Sequence, residues 1–149
     1  MSKMVFRKTR LEELKPGDFK LFAKTLSDTD AMLYAGVSGE MSPLYLNESF
    51  AAKTELKSRT VPPMLVAGLA GGAIYRLLSP AVKTESRTFR FLRPVYTGDT
   101  VTARAEIKEV DCAAGQVELV VSCYNQYEEK VMEGICREVL ISENEESEG

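Results

Sequence analysis

The chain has 149 residues, 44% apolar and 28% charged, with a formal net charge of −3. That length suits one domain with a real core, and the acidic balance excludes a general phosphate-backbone binder, which needs a basic stripe. It contains no histidine, which excludes Ser-His-Asp and Cys-His catalysis and histidine-ligated metal sites, leaving proton transfer to carboxylates, Tyr, Lys, Cys or water.

Residues 1–16 read as an N-terminal arm without the apolar core of a secretory signal. A helical turn fits at Leu11 to Leu14, stopped by Pro16-Gly17. Asp18 to Lys24 alternates around Phe19, Leu21 and Ala23, the period of a strand. Thr25 or Ser27 can cap the next helix, with Asp28 and Asp30 in the first turn, where carboxylates suit the helix dipole. That helix carries Met32, Leu33, Ala35 and Val37 and stops at Ser38-Gly39. Asn47 is a good N-cap for a short helix from Glu48 to Thr54, and the basic, polar stretch Lys53 to Arg59 reads as a surface loop.

Pro62-Pro63 opens the most apolar helix of the chain, running through Leu65, Val66, Leu69, Ile74 and Leu78. With almost no polar face, it is expected to be buried. Gly68, Gly71 and Gly72 weaken that helix by roughly 1 kcal/mol each, so close approach of another backbone is expected there. The nearly uncharged run Thr60 to Tyr75 is too short for a membrane span.

From Lys83 the period changes to two. Strands are expected over Thr84 to Leu92, Thr100 to Asp111, Gln116 to Gln126 and Val131 to Ser142, with turns at Thr97-Gly98-Asp99, Ala113-Ala114-Gly115 and Tyr127 to Lys130. The third of these strands points Val117, Leu119, Val121 and Cys123 inward, and the short connections predict antiparallel pairing. Residues 143–149 form an acidic tail expected to be disordered. Cys112, Cys123 and Cys136 are an odd set without metal-ligand spacing, consistent with free thiols in a reducing cytoplasm. One domain over residues 17–142, with a curved antiparallel sheet around one long buried helix, is an α+β layout and describes a hot-dog fold.

Two stretches carry a resemblance. Ser38-Gly39-Glu40-Met41-Ser42-Pro43-Leu44-Tyr45-Leu46-Asn47 resembles the SGDxNPxHxD segment of the MaoC-like dehydratases and (R)-specific enoyl-CoA hydratases. Phe89 to Val101, FRFLRPVYTGDTV, resembles that family's strand and PVxxGDxV turn. Arg59 to Leu65 stands where the family has a variant of RxIVHGML.

The resemblance implies a lyase of fatty acid metabolism, dimeric, with its site near the dimer interface. It would add water reversibly across a 2-enoyl thioester of CoA or acyl carrier protein, or dehydrate a 3-hydroxyacyl thioester. No cofactor or metal beyond the thioester carrier is implied, and neither nucleic acid nor membrane is expected as a partner.

Carried over residue by residue, the family's Asp falls on Glu40 and its His on Tyr45, the implied catalytic pair. Ser42, Pro63, Met64 and Gly68 fall on substrate-binding positions. Pro63 replaces the glycine whose N–H would polarise the thioester carbonyl and has no N–H itself. The next amide, Met64, lies at the same helix N-terminus. Two other readings follow from these changes: an inactive acyl-CoA-binding subunit that pairs with an active homologue, and an acyl-CoA thioesterase. Taken alone, Ser42 also reads as a cap, Tyr45 as packing and Glu40 as a solvated carboxylate. Arg59, Lys57 and Arg93 could meet CoA phosphates, although a solvated face is their simpler reading.

Overall fold

The computed structural model describes residues 11–141. In chain order a 3-10 turn (Leu11–Glu13) precedes β1 (Phe19–Thr25), α1 (Asp28–Ser38), α2 (Pro43–Leu46), α3 (Glu48–Ala51), α4 (Pro63–Leu77), β2 (Val82–Phe91), β3 (Thr100–Asp111), β4 (Gln116–Tyr124) and β5 (Lys130–Leu140). Most of the expected arm and all of the acidic tail lie outside the described residues.

Strict alternation builds the centre of the sheet. Val101, Ala103, Ala105 and Ile107 of β3 and Val117, Leu119, Val121 and Cys123 of β4 are buried, and they meet Val66, Ala70, Ala73 and Ile74 of α4 in one core. The five strands form a single antiparallel sheet in the order β1-β3-β4-β5-β2. With the helix laid against it, this is the α+β hot-dog arrangement.

Four details differ from the sequence reading. First, β2 does not pair with the strand that follows it. Both edges of β3 are taken, by β1 and β4, so β2 lies on the free edge of β5. The connection between β2 and β3 crosses the sheet end and is tied down there. The Val61 amide donates to the Val95 carbonyl across 2.7 Å, and the Gly98 amide to Leu26 across 2.7 Å. The Tyr96 amide donates to the Asp99 carboxylate, closing a turn in which Gly98 has φ +98°. These bonds explain the Thr-Gly-Asp sequence: a carboxylate that accepts from its own loop, and a left-handed residue only glycine adopts freely.

Second, the inward phase of β1 is the opposite of the one expected. Phe19 and Leu21 are exposed, and Phe22 turns toward α4. Register dictates this, because Phe22 sits opposite the buried Ala103. Phe19 finds its cover from outside, where the Arg104 guanidinium lies 4.2 Å from its ring centroid.

Third, α4 is buried along one side only. Met64, Gly68, Tyr75 and Arg76 face outward. Fourth, the helix glycines admit side chains, not a backbone. A Cβ on Gly72 would lie 2.8 Å from the Phe22 ring, and one on Gly71 would lie 3.1 Å from Arg87 Nη1, while Gly68 faces open space.

The space at Gly71 serves a buried charge. Glu138 is fully buried in β5, accepting from Arg87 Nε at 2.7 Å and from the Thr84 hydroxyl at 2.7 Å. Burying a carboxylate costs several kcal/mol unless its oxygens are satisfied; here each oxygen has a donor from β2.

Candidate active site

The loop that carries the candidate pair is shaped by its caps. Ser27 closes a capping box with Asp30 at the start of α1, an arrangement that stabilises a helix start by about 1 kcal/mol. Lys24 donates to the same Asp30 carboxylate at 2.6 Å, and this bond, with those from Ser27, holds that carboxyl below its ordinary range. At the other end Gly39 turns left-handed with φ +80° and donates to the Ala35 carbonyl, which ends the helix and throws the chain outward. The Ser38 hydroxyl bridges the exit, donating to the Tyr34 carbonyl at 2.7 Å and accepting from the Glu40 amide at 3.1 Å.

Ser42 then caps α2, its hydroxyl accepting from the Leu44 amide at 3.2 Å. The single turn that follows, which the sequence reading leaves undivided, swings Tyr45 back over the loop. Asn47 caps α3 by accepting from the Phe50 amide. That helix ends at Ala51, shorter than expected, and continues as turns.

The outcome is a direct contact: the Tyr45 hydroxyl donates to Glu40 Oε1 across 3.2 Å. Removal from water, and then the Glu40 charge, pushes the Tyr45 phenol above its ordinary value. Removal from water, and then the Glu40 charge, also push the Tyr34 phenol, near the end of α1, above its ordinary value.

Beside Tyr45 lies an apolar cleft of about 260 Å³, lined among others by Leu44, Val61, Pro63, Phe91 and Pro94. Tyr45 and Pro63 therefore share one cavity wall. Docking of α2 against the segment before α4 brings this about, with the Thr60 amide donating to the Leu44 carbonyl. Glu40 is exposed at the loop, outside the cleft lining, and Met64 and Gly68 lie on the outward face of α4. At the start of α4 the Leu65 amide donates to the Pro62 carbonyl at 3.0 Å, whereas among the described residues the Met64 amide has no partner.

Of the three cationic candidates, two are already committed. Arg59 donates to Glu48 and with both contacts of one nitrogen to Asp28, tying α1, α3 and the approach to α4 together. Arg93 pairs with Glu129 at 2.9 Å. Burial pushes the Cys123 thiol up to about 12 and the Cys136 thiol to about 11, which removes both as nucleophiles near neutrality. Among the described residues no cluster of three or more Cys, Asp or Glu could hold a metal, and no helix is long and apolar enough to cross a membrane.

Comparison with known proteins identifies the family. The chain is 36% identical over 97 residues to an (R)-specific enoyl-CoA hydratase of Rhodospirillum rubrum, covering 64% of this chain and 67% of that one. It is 30% identical over 113 residues to a 3-hydroxybutyryl-CoA dehydratase of Methylorubrum extorquens, covering 75% and 72%. The R-hydratase PhaJ1 of Pseudomonas aeruginosa, in its unliganded form, superposes with a TM-score of 0.83 at 29% identity, covering 89% of this chain and 86% of that one. A family model described as the MaoC like domain matches residues 16–130. With that match across most of the sheet, the helix and the Glu40 loop, the chain belongs to the MaoC-like domain family, the family of enoyl-CoA hydratases and dehydratases.

Proposed function

We propose that the chain catalyses reversible addition of water across the double bond of a 2-enoyl thioester carried by CoA or acyl carrier protein, with Glu40 and Tyr45 as its acid–base pair. The observation that carries this reading is the 3.2 Å hydrogen bond from Tyr45 to Glu40. It supports a division of labour without histidine. The Glu40 carboxylate takes a proton from water as the water oxygen bonds to C3. The Tyr45 phenol, kept protonated by its raised affinity for the proton, donates to C2. The proton on Glu40 then returns along the hydrogen bond to the tyrosinate, restoring both groups. Atoms balance, and no cofactor or metal enters.

The free Met64 amide at the N-terminus of α4 supplies the donor that polarises the thioester carbonyl, the role Pro63 cannot fill. Ser42 and Gly68, with little or no side chain, leave room beside the loop and the helix face for the thioester arm. The acting species is a homodimer or larger assembly. This accounts for the outward face of α4 and for the second edge of β2, unpaired among the described residues, since an uncovered strand edge is a template for pairing.

The test is hydration of crotonyl-CoA by purified protein, with Glu40→Gln beside it. Turnover that drops sharply in the variant supports the reading. No turnover with enoyl-CoA substrates from short to long chain would sink it. A second reading is favoured by Pro62-Pro63, which leaves one amide where a glycine would add another: a subunit that binds acyl-CoA without turnover and pairs with an active homologue. Saturable acyl-CoA binding with no hydration, and a homologue that co-purifies, distinguishes it. Release of free thiol from acyl-CoA would instead indicate a thioesterase.

A further inference from the structure

Lys53 to Arg59 reads from the sequence as a polar surface loop, and it holds a single apolar residue, Leu56. Leu56 is half-buried, yet it is not among the residues that pack against the main core. Its side chain instead lines the cleft of about 260 Å³ that Tyr45 also lines. The loop is bent to bring it there. The Thr54 hydroxyl donates to the Ala51 carbonyl at 2.7 Å and accepts from the Leu56 amide at 3.2 Å. Lys57 then turns left-handed with φ +66°, a conformation rare for a residue with a side chain. Such a backbone persists only where its surroundings fix it. Here the Lys57 amide donates to the Thr54 carbonyl at 3.1 Å, and the Ser58 hydroxyl donates to Glu48 at 3.1 Å.

The cleft limits what can occupy it. Leu44, Val61, Val66, Phe91 and Val131 give it an apolar wall, and its one charged lining residue, Arg93, is paired with Glu129 at 2.9 Å. An uncharged alkyl chain suits such a wall, whereas a terminal carboxylate would lose its water without gaining a free cation. At about 30 Å³ for each water-sized group, 260 Å³ holds roughly eight of them. The reacting water and the thioester end through C3 take about five, which leaves room for about three further carbons.

We propose that Leu56 is a specificity-determining residue that closes the cleft against long chains, so that the site takes 2-enoyl thioesters of about four to six carbons. The reaction in this statement rests on the hydratase reading; the limit on chain length does not.

The experiment uses the full chain with crotonyl-, hexenoyl-, octenoyl- and dodecenoyl-CoA. The first two are expected to give the highest kcat/KM, and dodecenoyl-CoA a value at least about tenfold lower, the discrimination one surplus methylene already produces in an apolar pocket. Leu56→Ala is expected to raise the ratio of kcat/KM for dodecenoyl-CoA to that for crotonyl-CoA about tenfold. Leu56→Phe should act in the opposite sense, lowering hexenoyl-CoA relative to crotonyl-CoA. Opposite shifts separate a specificity role from a loss of stability, which would lower all substrates together. The same order is expected without turnover, in calorimetric binding of butyryl-, hexanoyl- and dodecanoyl-CoA.

A wild-type preference for dodecenoyl-CoA would overturn the proposal, and so would variants whose length profiles match the wild type. Binding that favours short chains and follows both variants, in a protein that hydrates no enoyl thioester, would uphold the Leu56 limit and reject the hydratase reading. Neither turnover nor binding at any chain length would overturn both.

Discussion

The Tyr45 hydroxyl donates to Glu40 Oε1 from a turn of helix only five residues further along the chain, so the proposed acid and base are held together by local structure. Burial, and then the neighbouring carboxylate, raises the Tyr45 phenol from an ordinary value of about 10. A raised phenol keeps its proton further into alkali. As a proton donor Tyr45 is competent below its folded value and lost above it. The rate of hydration is therefore expected to stay level through mild alkali and to fall only above about pH 10. Tyr45→Phe should lower kcat about 100-fold or more and remove that alkaline limb. A wild-type limb well below pH 9 would show that another group supplies the proton. Folding raises Tyr34 and Tyr45 alike, so their contribution to stability is present below about pH 10 and lost as pH rises through the folded values.

Pro63 allows a gain-of-function test. It occupies the first position of α4, where its missing N–H breaks no helix bond, so glycine there adds a donor without disturbing the ladder. Pro63→Gly is expected to raise kcat, by up to about 100-fold if the new N–H reaches the thioester oxygen. It should also lower the melting temperature, because glycine is the more flexible residue in the unfolded chain. Steady-state hydration kinetics with a thermal melt separate the two effects. A variant that loses stability without any gain in rate would mean the first turn of α4 does not face the carbonyl.

How much of this was legible in the sequence depends on whether the signal was local. The caps at Ser27 and Asn47, the glycine stop at Gly39 and the alternation of Val101 to Ile107 are local, and they read correctly. The pairing of β2 with β5 is a property of which sheet edges remain free, and no window of sequence contains it. The phase of β1 failed for a related reason. Phe19, Leu21 and Phe22 are all apolar, and only the register against Ala103 decides which faces the helix. At the site, Glu40 and Tyr45 came from the resemblance of residues 38–47 to the family motif, which local periodicity alone would not have singled out. The glycines of α4 misled because packing density demands space without saying for what. Gly72 makes it for a ring and Gly71 for a guanidinium.

That guanidinium carries the third prediction. Arg87 holds Glu138 at 2.7 Å, with the carboxylate fully buried and the arginine side chain 29% exposed. Removing the cation leaves a buried charge with only the Thr84 hydroxyl as donor. Arg87→Met is expected to destabilise the fold by about 3 kcal/mol, the lower end for a broken buried pair because the arginine is partly solvated. Combining it with Glu138→Leu should recover much of that loss, since an apolar pair of similar volume avoids desolvation altogether. Urea denaturation checks both, through a midpoint that moves while the slope stays constant. A single variant within about 0.5 kcal/mol of wild type, the range of an ordinary surface change, would mean that the pair contributes nothing.

The contact between Gly72 and Phe22 yields the last prediction, in which two effects oppose each other. Alanine in the middle of a helix is favoured over glycine by about 1 kcal/mol. At Gly72, however, the added methyl would lie 2.8 Å from Phe22 Cδ1 and 3.2 Å from Cε1. The ring cannot simply swing away, because the Arg76 guanidinium sits 4.2 Å from its centroid and β1 holds its backbone in register with β3. Overpacking of this kind costs about 1 to 3 kcal/mol, so Gly72→Ala is expected to lower stability despite the better helix former. Phe22→Val removes the ring and destabilises on its own by opening a cavity under α4. Together the two changes should cost less than their sum, because the methyl then fills space that the ring has left. Melting temperatures of the two single variants and the double variant measure that coupling. Strict additivity would mean that the ring and the glycine do not meet.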